Sequence, residues 1–548
     1  MTLRIVGYHI TPQDEITIAN SDGEFIKGKE RILYWLLTSK PGTIRIFYNV
    51  DYAVAQILKA LNLTKEQGQI LSDTNTLWYP PYELHYVTNK YFNIQKGQGK
   101  GSFFVNYSDA SQYFDWTLSE NDDAQEKADK AREMGEQVYD GLSSIGLHPT
   151  ALTSPIRCYE KEVLSKMNLP NVVDLPTPVA KHAYQCESGM WVEAFMMGSF
   201  EDAYDFDIKS AFGFKTSKLI NPNLGTWTRT KSYQEGAYYG FANCKIEIDT
   251  DFSPILVNKG DHSYGVVGVF ERFLPKSKID YIKRHKIGEV EVLDGVWFFP
   301  DKIEYPFERI CNELYEKKEA STGMTKEVIK LILCQIWGKT LSIETKGEEE
   351  SMGDLFNPVF GVSVESDSHI QVADYCVELM KQGFEIGHIA IDGVTAIGSV
   401  SSSTVPPFLS IGSAMGDWKL SSHSPAIIAG SGSVAIKDKI GINELSLNYD
   451  WLMGNIVNKP NETEYVLTKT TPMTLGKALI GENWSRLGAL IQTRRIVNGH
   501  EIKREYDSYP EVGSDFLKQY RSSPRDISQI GLVDDFKSEI TEDDIDYE

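Results

Sequence analysis

The stretch that decides the fold reads Tyr204-Asp-Phe-Asp207-Ile-Lys-Ser210-Ala-Phe212. Apolar and polar residues alternate along it, which is the pattern of a β-strand, and Asp207 stands where that strand should end. A carboxylate at a strand exit can hold a divalent cation without being buried among apolar groups. An isolated aspartate there is more often an ordinary strand terminus, so Asp207 needs a partner before it indicates a metal site.

Asp392 is the candidate partner. It follows the apolar run Gly387-His-Ile-Ala-Ile and precedes Gly393. Asp-Gly is also the commonest hairpin turn, so the position taken alone is more often structural than catalytic. The two aspartates are 185 residues apart (392 − 207), and only the fold can bring them together.

A third stretch, Lys326–Lys339, distinguishes between these interpretations. Lys330, Cys334 and Trp337 fall at i, i+4 and i+7 on one helical face, and Gly338 follows. This set makes a poor core stripe but a good nucleotide surface, because lysine suits a triphosphate, tryptophan stacks, and glycine allows close backbone approach.

Together the three stretches resemble the motifs of B-family DNA polymerases, in the compact form found in phages and mobile elements. Asp207-Ile-Lys-Ser-Ala-Phe212 resembles the first palm motif, Lys330 to Gly338 the fingers motif, and Ala390-Ile-Asp392-Gly the second palm motif. The similarity runs from about residue 100 to 510. It implies a template-dependent DNA polymerase whose partners are primer–template DNA and deoxynucleoside triphosphates.

The resemblance also implies roles for single residues. Asp207 and Asp392, with the backbone carbonyl of Ile208, would hold two Mg²⁺ ions, for which Mn²⁺ can substitute. The incoming nucleotide would meet Lys330, Lys317 or Lys318, Ser210, Phe212, Cys334, Trp337 and Gly338. Phe212, at the family's tyrosine position, would lie under the sugar and exclude a ribose 2′-hydroxyl.

Several positions depart from the family pattern. Cys334-Gln335 replaces the usual Asn-Ser, Trp337 replaces a tyrosine, Gly213 replaces a proline, and Ala390 replaces the first aspartate of the second palm motif. The missing aspartate is tolerable on the mechanism, because the second aspartate bridges the metals.

The fold class expected is α/β and α+β multidomain, an RNase H-like domain followed by a right-hand palm, fingers and thumb. The expected segments are 1–150 (exonuclease-like), 151–304 (palm), 305–345 (fingers hairpin), 346–420 (palm), 421–530 (thumb) and 531–548 (acidic tail). Within them the periodicity predicts helices at 27–37, 53–61, 120–142, 306–318, 326–338 and 370–382.

The first segment lacks the residues of a 3′–5′ exonuclease. His9 and Thr11 stand where the first motif wants Asp and Glu, and our alignment puts Lys130 where the last motif wants Asp. Asn49 and Asp51 are either remnants of the second motif or a helix cap. Asp14, Glu15, Asp51, Asp109 or Asp129 could rebuild a site in three dimensions, but the sequence favours a polymerase that does not proofread.

The net charge of the chain limits where nucleic acid could bind. The 548 residues carry 55 Lys and Arg against 77 Asp and Glu, a net charge of −22, so any DNA site must be a local basic groove. A basic cluster lies in the expected thumb, with Lys469, Arg494, Arg495 and Lys503 as candidate DNA contacts. The same cluster is equally well explained as a basic surface that faces solvent and binds nothing.

The cysteines and the hydropathy of the chain indicate its cellular compartment. Six scattered cysteines without a CxxC pair, and the lack of a signal-like or membrane-spanning run, lead us to expect a cytoplasmic protein, in the host cytoplasm if it is viral. The acidic tail could recruit a basic replication partner. Two alternatives stay open, an RNA-making primase-polymerase of the same fold and a catalytically retired DNA-binding replication scaffold.

Overall fold

The structure, a computed structural model, describes residues 4–11, 16–28, 31–38, 42–97, 103–260, 262–346, 349–398, 411–439 and 443–530. The acidic tail and the carboxylates Asp14 and Glu15 lie outside these residues. No helix in the described ranges is both long and apolar enough to cross a membrane.

The amino-terminal domain is a mixed sheet with helices on both faces. Its elements are β1 (Arg4–Thr11), β2 (Thr17–Asn20), β3 (Phe25–Lys27), α1 (Ile32–Leu37), β4 (Thr43–Phe47), α2 (Val50–Ala60), α3 (Lys65–Thr74), β5 (Thr76–Tyr79), β6 (Tyr82–Val87), β7 (Tyr91–Lys96), β8 (Phe103–Asp109) and α4 (Ala124–Ser144). The strands lie in the order β3-β2-β1-β4-β8-β7-β6-β5, and β1, β4 and β8 are mutually parallel.

Alternation along the central strands fills two cores. Val6, Tyr8 and Phe47 face α1 and α2, whereas Ile5 and Ile46 face α4. Such strands are buried on both faces, as parallel strands under helices are. The meander β5–β7 was not foreseen from the sequence.

The palm is built on a large antiparallel sheet. Its elements begin with α5 (Pro155–Glu162), α6 (Thr177–Gln185), β9 (Val192–Ala194), β10 (Met196–Ile208), α7 (Ala211–Ser217), β11 (Gly225–Thr230), β12 (Tyr239–Ile248), β13 (Leu256–Lys259), β14 (His262–Pro275), α8 (Lys276–His285) and β15 (Gly288–Pro300). The expected β-rich runs at 239–247, 264–270 and 288–299 correspond to β12, β14 and β15.

The fingers hairpin interrupts this sheet. It consists of α9 (Glu308–Ala320) and α10 (Gly323–Gln335), followed by a 3₁₀ turn at Trp337–Leu341, the short strands β16 (Ile343–Lys346) and β17 (Glu349–Met352), and the long helix α11 (Pro358–Lys381). The sequence predicted only 370–382 of α11. The first half of α11 is buried on almost every side, so it shows no polar face and no amphipathic period.

The last part of the chain, where the sequence leads us to expect a thumb, contributes strands both to the sheet of β10 and to a sheet of its own. Its elements are β18 (Glu385–Ala390), β19 (Gly393–Ile397), β20 (Trp418–Gly430), β21 (Ser433–Ile436), α12 (Tyr449–Asn458), β22 (Tyr465–Pro472), α13 (Leu475–Ile480), β23 (Leu490–Val497), β24 (Arg504–Tyr506), β25 (Gln519–Asp526) and α14 (Ile527–Ile530). β20 and β25 pair with β10, whereas β22 and β23 form a separate two-stranded sheet. The part of the expected thumb that lies outside the sheet of β10 comprises α12 and the β22–β23 hairpin that carries α13.

Candidate active site

Three neighbouring strands bring the two aspartates together. β10 lies between β19 and β20, and Asp207 stands opposite Gly393 on one side and Lys419 on the other. The Ile208 N–H donates to the backbone carbonyl of Asp392 at 3.2 Å. The end of β10 and the β18–β19 turn are thus joined directly, and the two carboxylates share one edge of the palm.

The pKa of Asp392 depends on the neighbouring Asp207. Burial, and next the negative charge of Asp207, raise the pKa of the Asp392 carboxyl to about 6, while Lys419 and Lys330 act in the opposite direction. Two carboxylates that repel each other across a shared space form a site for positive charge.

The turn that presents Asp392 is strained. Ile391 has a φ of 62°, in the left-handed region where a β-branched residue is rare. Its N–H donates to the carbonyl of Trp191 at 2.7 Å, which fixes the turn against the neighbouring segment. Strain of this kind persists only where the surrounding structure imposes it, and here it sets the direction of one carboxylate.

The donor set fits a hard divalent cation. Within the described ranges, no three His, Cys, Asp or Glu side chains cluster as a metal site. Asp207 and Asp392 nevertheless supply anionic oxygens, and Mg²⁺ usually takes only one or two protein carboxylates and completes its shell with water and substrate phosphates. The pair therefore fits Mg²⁺ or Mn²⁺, with the rest of the shell left to other oxygen ligands.

Two lysines at this edge were missed in the sequence. Lys419 donates to the Asp207 carboxylate at 2.6 Å, and Lys439 pairs with Asp205, two residues earlier on β10. Asp205 is buried and faces the same cavity of about 370 Å³ as Asp207 and Asp392. Strand alternation could have placed Asp205 on the face of Asp207, but no sequence signal pairs either lysine with its acid.

Helix α10 lies beside the carboxylates. Burial, and next the charge of Asp392, raise the pKa of the Cys334 thiol, so this thiol lies within electrostatic reach of the pair. Lys330 is exposed and contacts Glu327 at 3.3 Å. A Cβ added at Gly338 would meet no atom within 4 Å, which leaves the backbone open to a ligand there.

Phe212 and Trp337 form an aromatic pair at the junction of palm and fingers. Their rings stack at 5.0 Å with an interplanar angle of 19°. Each ring restrains the other, because an offset stack is the preferred arrangement of two aromatic faces. The position of Phe212 therefore depends on a fingers residue.

The structure distinguishes Lys318 from Lys317. The Lys318 ammonium donates to Ser210 Oγ at 2.7 Å and lies 4.6 Å from the ring of Tyr315, whereas Lys317 is exposed. Ser210 has a φ of 50° and precedes α7, directly after the strand of Asp207. Of the two lysines, Lys318 is the one held at the site.

Two lysines of α4 lie beside Tyr48, just after the end of β4. The Lys127 ammonium lies 3.6 Å from Asp122 and donates to the Tyr48 hydroxyl. The Lys130 ammonium lies 4.9 Å from the ring of Phe114 and 5.9 Å from that of Tyr48. Burial and the charge of Lys127 lower the pKa of His9 to about 3, so its imidazole is neutral.

The remaining carboxylates have other partners. Asn49 caps α2 by accepting from the Tyr52 N–H, and Asp51 accepts from the Tyr86 hydroxyl and the Asn89 N–H. Asp109 is buried and accepts from the Val50 N–H. Asp129 accepts from the Gln125 amide.

Three of the four candidate thumb cations are used inside the protein. Lys469 pairs with Asp115 at 2.6 Å, Arg495 donates to the carbonyls of Leu445 and Gly432, and Lys503 donates to the carbonyl of Val192. Arg494 is exposed.

The chain has the fold of B-family DNA polymerases, in which an α/β domain like the amino-terminal one is followed by palm, fingers and thumb. No protein-family model and no curated protein matches it. Among solved structures it is similar to phi29 DNA polymerase complexed with primer-template DNA and incoming nucleotide, at 13% identity and a TM-score of 0.61 over 91% of this chain and 100% of that one. The orthorhombic form of phi29 DNA polymerase aligns at 12% identity and a TM-score of 0.57 over 98% and 94%.

Proposed function

We propose that this chain is a template-dependent DNA polymerase that adds deoxynucleotides to a primer 3′-hydroxyl and does not proofread. The observation that carries the proposal is the meeting of Asp207 and Asp392 beside the fingers helix, on a fold similar to that of phi29 DNA polymerase. A solved complex of that polymerase contains primer-template DNA and incoming nucleotide.

In this proposal, Asp207, Asp392 and the Ile208 carbonyl hold the divalent ions. Such ions, when bound, lower the pKa of the primer hydroxyl and neutralise the triphosphate. Lys330 and Lys318 approach the triphosphate from the fingers, where the Lys318 ammonium is already fixed by Ser210. Exposed Lys330 is free to move toward the phosphates, since its contact with Glu327 is a surface pair of small energy.

In this proposal, Phe212 selects deoxyribose over ribose. Its ring is fixed against Trp337, so it cannot swing aside easily to admit a 2′-hydroxyl. This contact favours a DNA polymerase over the RNA-making alternative.

The absence of proofreading rests on the chemistry of the amino-terminal site. Hard cations need anionic oxygens, and the alignment puts His9, whose imidazole is neutral, and Thr11 where carboxylates would be required. A lysine next to Asp122 also repels any cation that this acid could attract.

Primer extension with Mg²⁺ tests the proposal. Asp207→Ala and Asp392→Ala should each reduce extension by several orders of magnitude while thermal unfolding and duplex binding stay unchanged. Asp202→Ala is the matched control, because Asp202 lies on the same strand, is exposed and pairs with the exposed His423. Retention of more than about a tenth of wild-type extension by either mutant would sink the assignment and favour the scaffold alternative.

A further inference from the structure

An acid–lysine pair at the palm edge has no role in the function proposed above. Asp205 lies two residues before Asp207 on β10, and alternate residues of a strand project from one face of its sheet. The Asp205 carboxylate pairs with the ammonium of Lys439, which follows β21. Both residues line the cavity of about 370 Å³ that also contains Asp207 and Asp392.

The acid of this pair is buried, whereas the base is half in solvent. The Asp205 side chain is 10% exposed and that of Lys439 is 48% exposed. Thr395 of β19, itself buried, donates to the other oxygen of the carboxylate at 3.5 Å. Burial raises the pKa of Asp205 and Lys439 acts in the opposite direction, so the ammonium stabilises the charged carboxylate. Asp205 is therefore a fixed anchor for the end of a flexible side chain.

The order of residues along β10 gives each substrate a side of the site. Ser210, which the Lys318 ammonium contacts and which we assign to the nucleotide, lies beyond the end of the strand. In a two-metal displacement the primer hydroxyl attacks in line, opposite the leaving pyrophosphate. Since Asp205 lies on the other side of Asp207 from Ser210, the primer end must approach from the side of Asp205 and Lys439.

The far wall of the cavity belongs to the last part of the chain. Leu447, which precedes α12, lines it together with two residues of β21. Leu447 packs in one core with Leu452 of α12 and Leu467 of β22. The cavity therefore extends from the aspartate pair toward the segment expected to be the thumb, which is the direction in which a duplex would leave the site.

The net charge of the chain makes a cation at this place important. That charge is −22, and Lys469, Arg495 and Lys503 are used inside the protein, so few cations are left to hold phosphates. Lys419 lies against Asp207, where a metal ion would displace it. Lys439 instead pairs with an acid to which the proposed function gives no metal, so it keeps its position when metal ions bind.

We propose that Lys439 binds a phosphate at the 3′ end of the primer, and that Asp205 is the positioning residue that holds its ammonium there. The inference rests on the proposed function for the identity of the DNA. Lysine is a compact point charge that suits a single phosphate. Two residues of a strand span about 7 Å, which limits the contact to one of the last two linkages of the primer. Fixing that phosphate fixes the 3′-hydroxyl relative to the metal pair.

Neutral linkages in the primer test the contact. A methylphosphonate removes one phosphate charge at a time from the last four linkages, and fluorescence anisotropy measures equilibrium binding of the primer–template without nucleotide. Lys439→Met removes the ammonium and keeps an unbranched side chain. Because this change leaves a buried carboxylate unpaired, the double variant Asp205→Asn with Lys439→Met is measured beside it. Lys437→Met is the matched control, because Lys437 is exposed and lies two residues earlier.

The expected result is a loss of affinity that depends on Lys439. At one of the last two linkages, the neutral group should weaken binding by the wild type roughly three- to fivefold, the worth of one exposed charge pair. It should not weaken binding by Lys439→Met or by the double variant. Lys439→Arg and Lys437→Met should keep the loss. Asp205→Asn should show a smaller loss, because its amide still accepts from Thr395 but no longer holds the ammonium.

The possible outcomes separate this inference from the proposed function. Equal losses in the wild type and Lys439→Met at all four linkages would overturn the phosphate contact, and a full loss in Asp205→Asn would overturn the positioning role. A wild type that extends primers but shows such equal losses refutes this inference alone. A wild type that shows the dependence on Lys439 but extends no primer refutes the proposed function alone. Failure of the wild type to bind primer–template refutes both.

Discussion

The Lys419 ammonium should compete with metal for Asp207. It donates to the carboxylate that the proposed function gives to a divalent ion, at 2.6 Å. Lys419→Ala removes this internal cation and leaves both oxygens of Asp207 available. The site should then bind Mn²⁺ or Mg²⁺ more tightly than the wild type does.

The size of the effect follows from exposure. The two side chains are 42% and 31% exposed, so the pair is screened by water and is worth at most about 1 kcal/mol. At about 1.4 kcal/mol per factor of ten, the dissociation constant for metal should fall by roughly two- to fivefold. A buried pair would have given a much larger change.

Mn²⁺ binding, followed by electron paramagnetic resonance, measures this without any need for catalysis. Lys419→Arg retains the charge and should behave as the wild type. Lys381→Ala removes a lysine from an exposed pair with Glu378 elsewhere and corrects for the change in net charge. If Lys419→Ala binds Mn²⁺ no more tightly than Lys381→Ala, the competition does not exist.

Three further predictions concern the nucleotide and the primer end. Lys330→Ala should raise the apparent dissociation constant for the incoming nucleotide about tenfold with duplex binding unchanged, because a lost charged contact costs roughly 1.5 kcal/mol. Lys326→Ala is the control and should leave that constant unchanged. Equal effects of the two substitutions would contradict a contact between Lys330 and the triphosphate. Phe212→Ala should raise ribonucleotide incorporation about tenfold in single-turnover extension, since a methyl group leaves room for a 2′-hydroxyl, and an unchanged ratio would remove Phe212 from sugar selection. A labelled primer with a mismatched 3′ end should stay intact with Mg²⁺ or Mn²⁺ and no nucleotide; shortening that survives Asp392→Ala but disappears with Asp51→Ala would prove that the chain proofreads.

Local pattern alone was sufficient for the strand that ends at Asp207 and for the two helices of the fingers. These elements have one buried and one exposed face, so their periods of 2 and 3.6 are visible in the sequence. The same reasoning did not predict the first half of α11, which has no exposed face, or the pairing of β25 with β10. Strand pairing over long sequence distances has no local signature.

The lysines show most clearly what the sequence determined. Asp207, Asp392 and Lys330 predicted a nucleotide site, and the lysines and arginines between 469 and 503 predicted a basic thumb. Only the tertiary structure decided that Lys318 rather than Lys317 reaches Ser210, that Lys127 pairs with Asp122, and that Lys419 pairs with Asp207. A long flexible side chain finds its partner through space, and residues that meet there are set by packing between elements that are hundreds of residues apart.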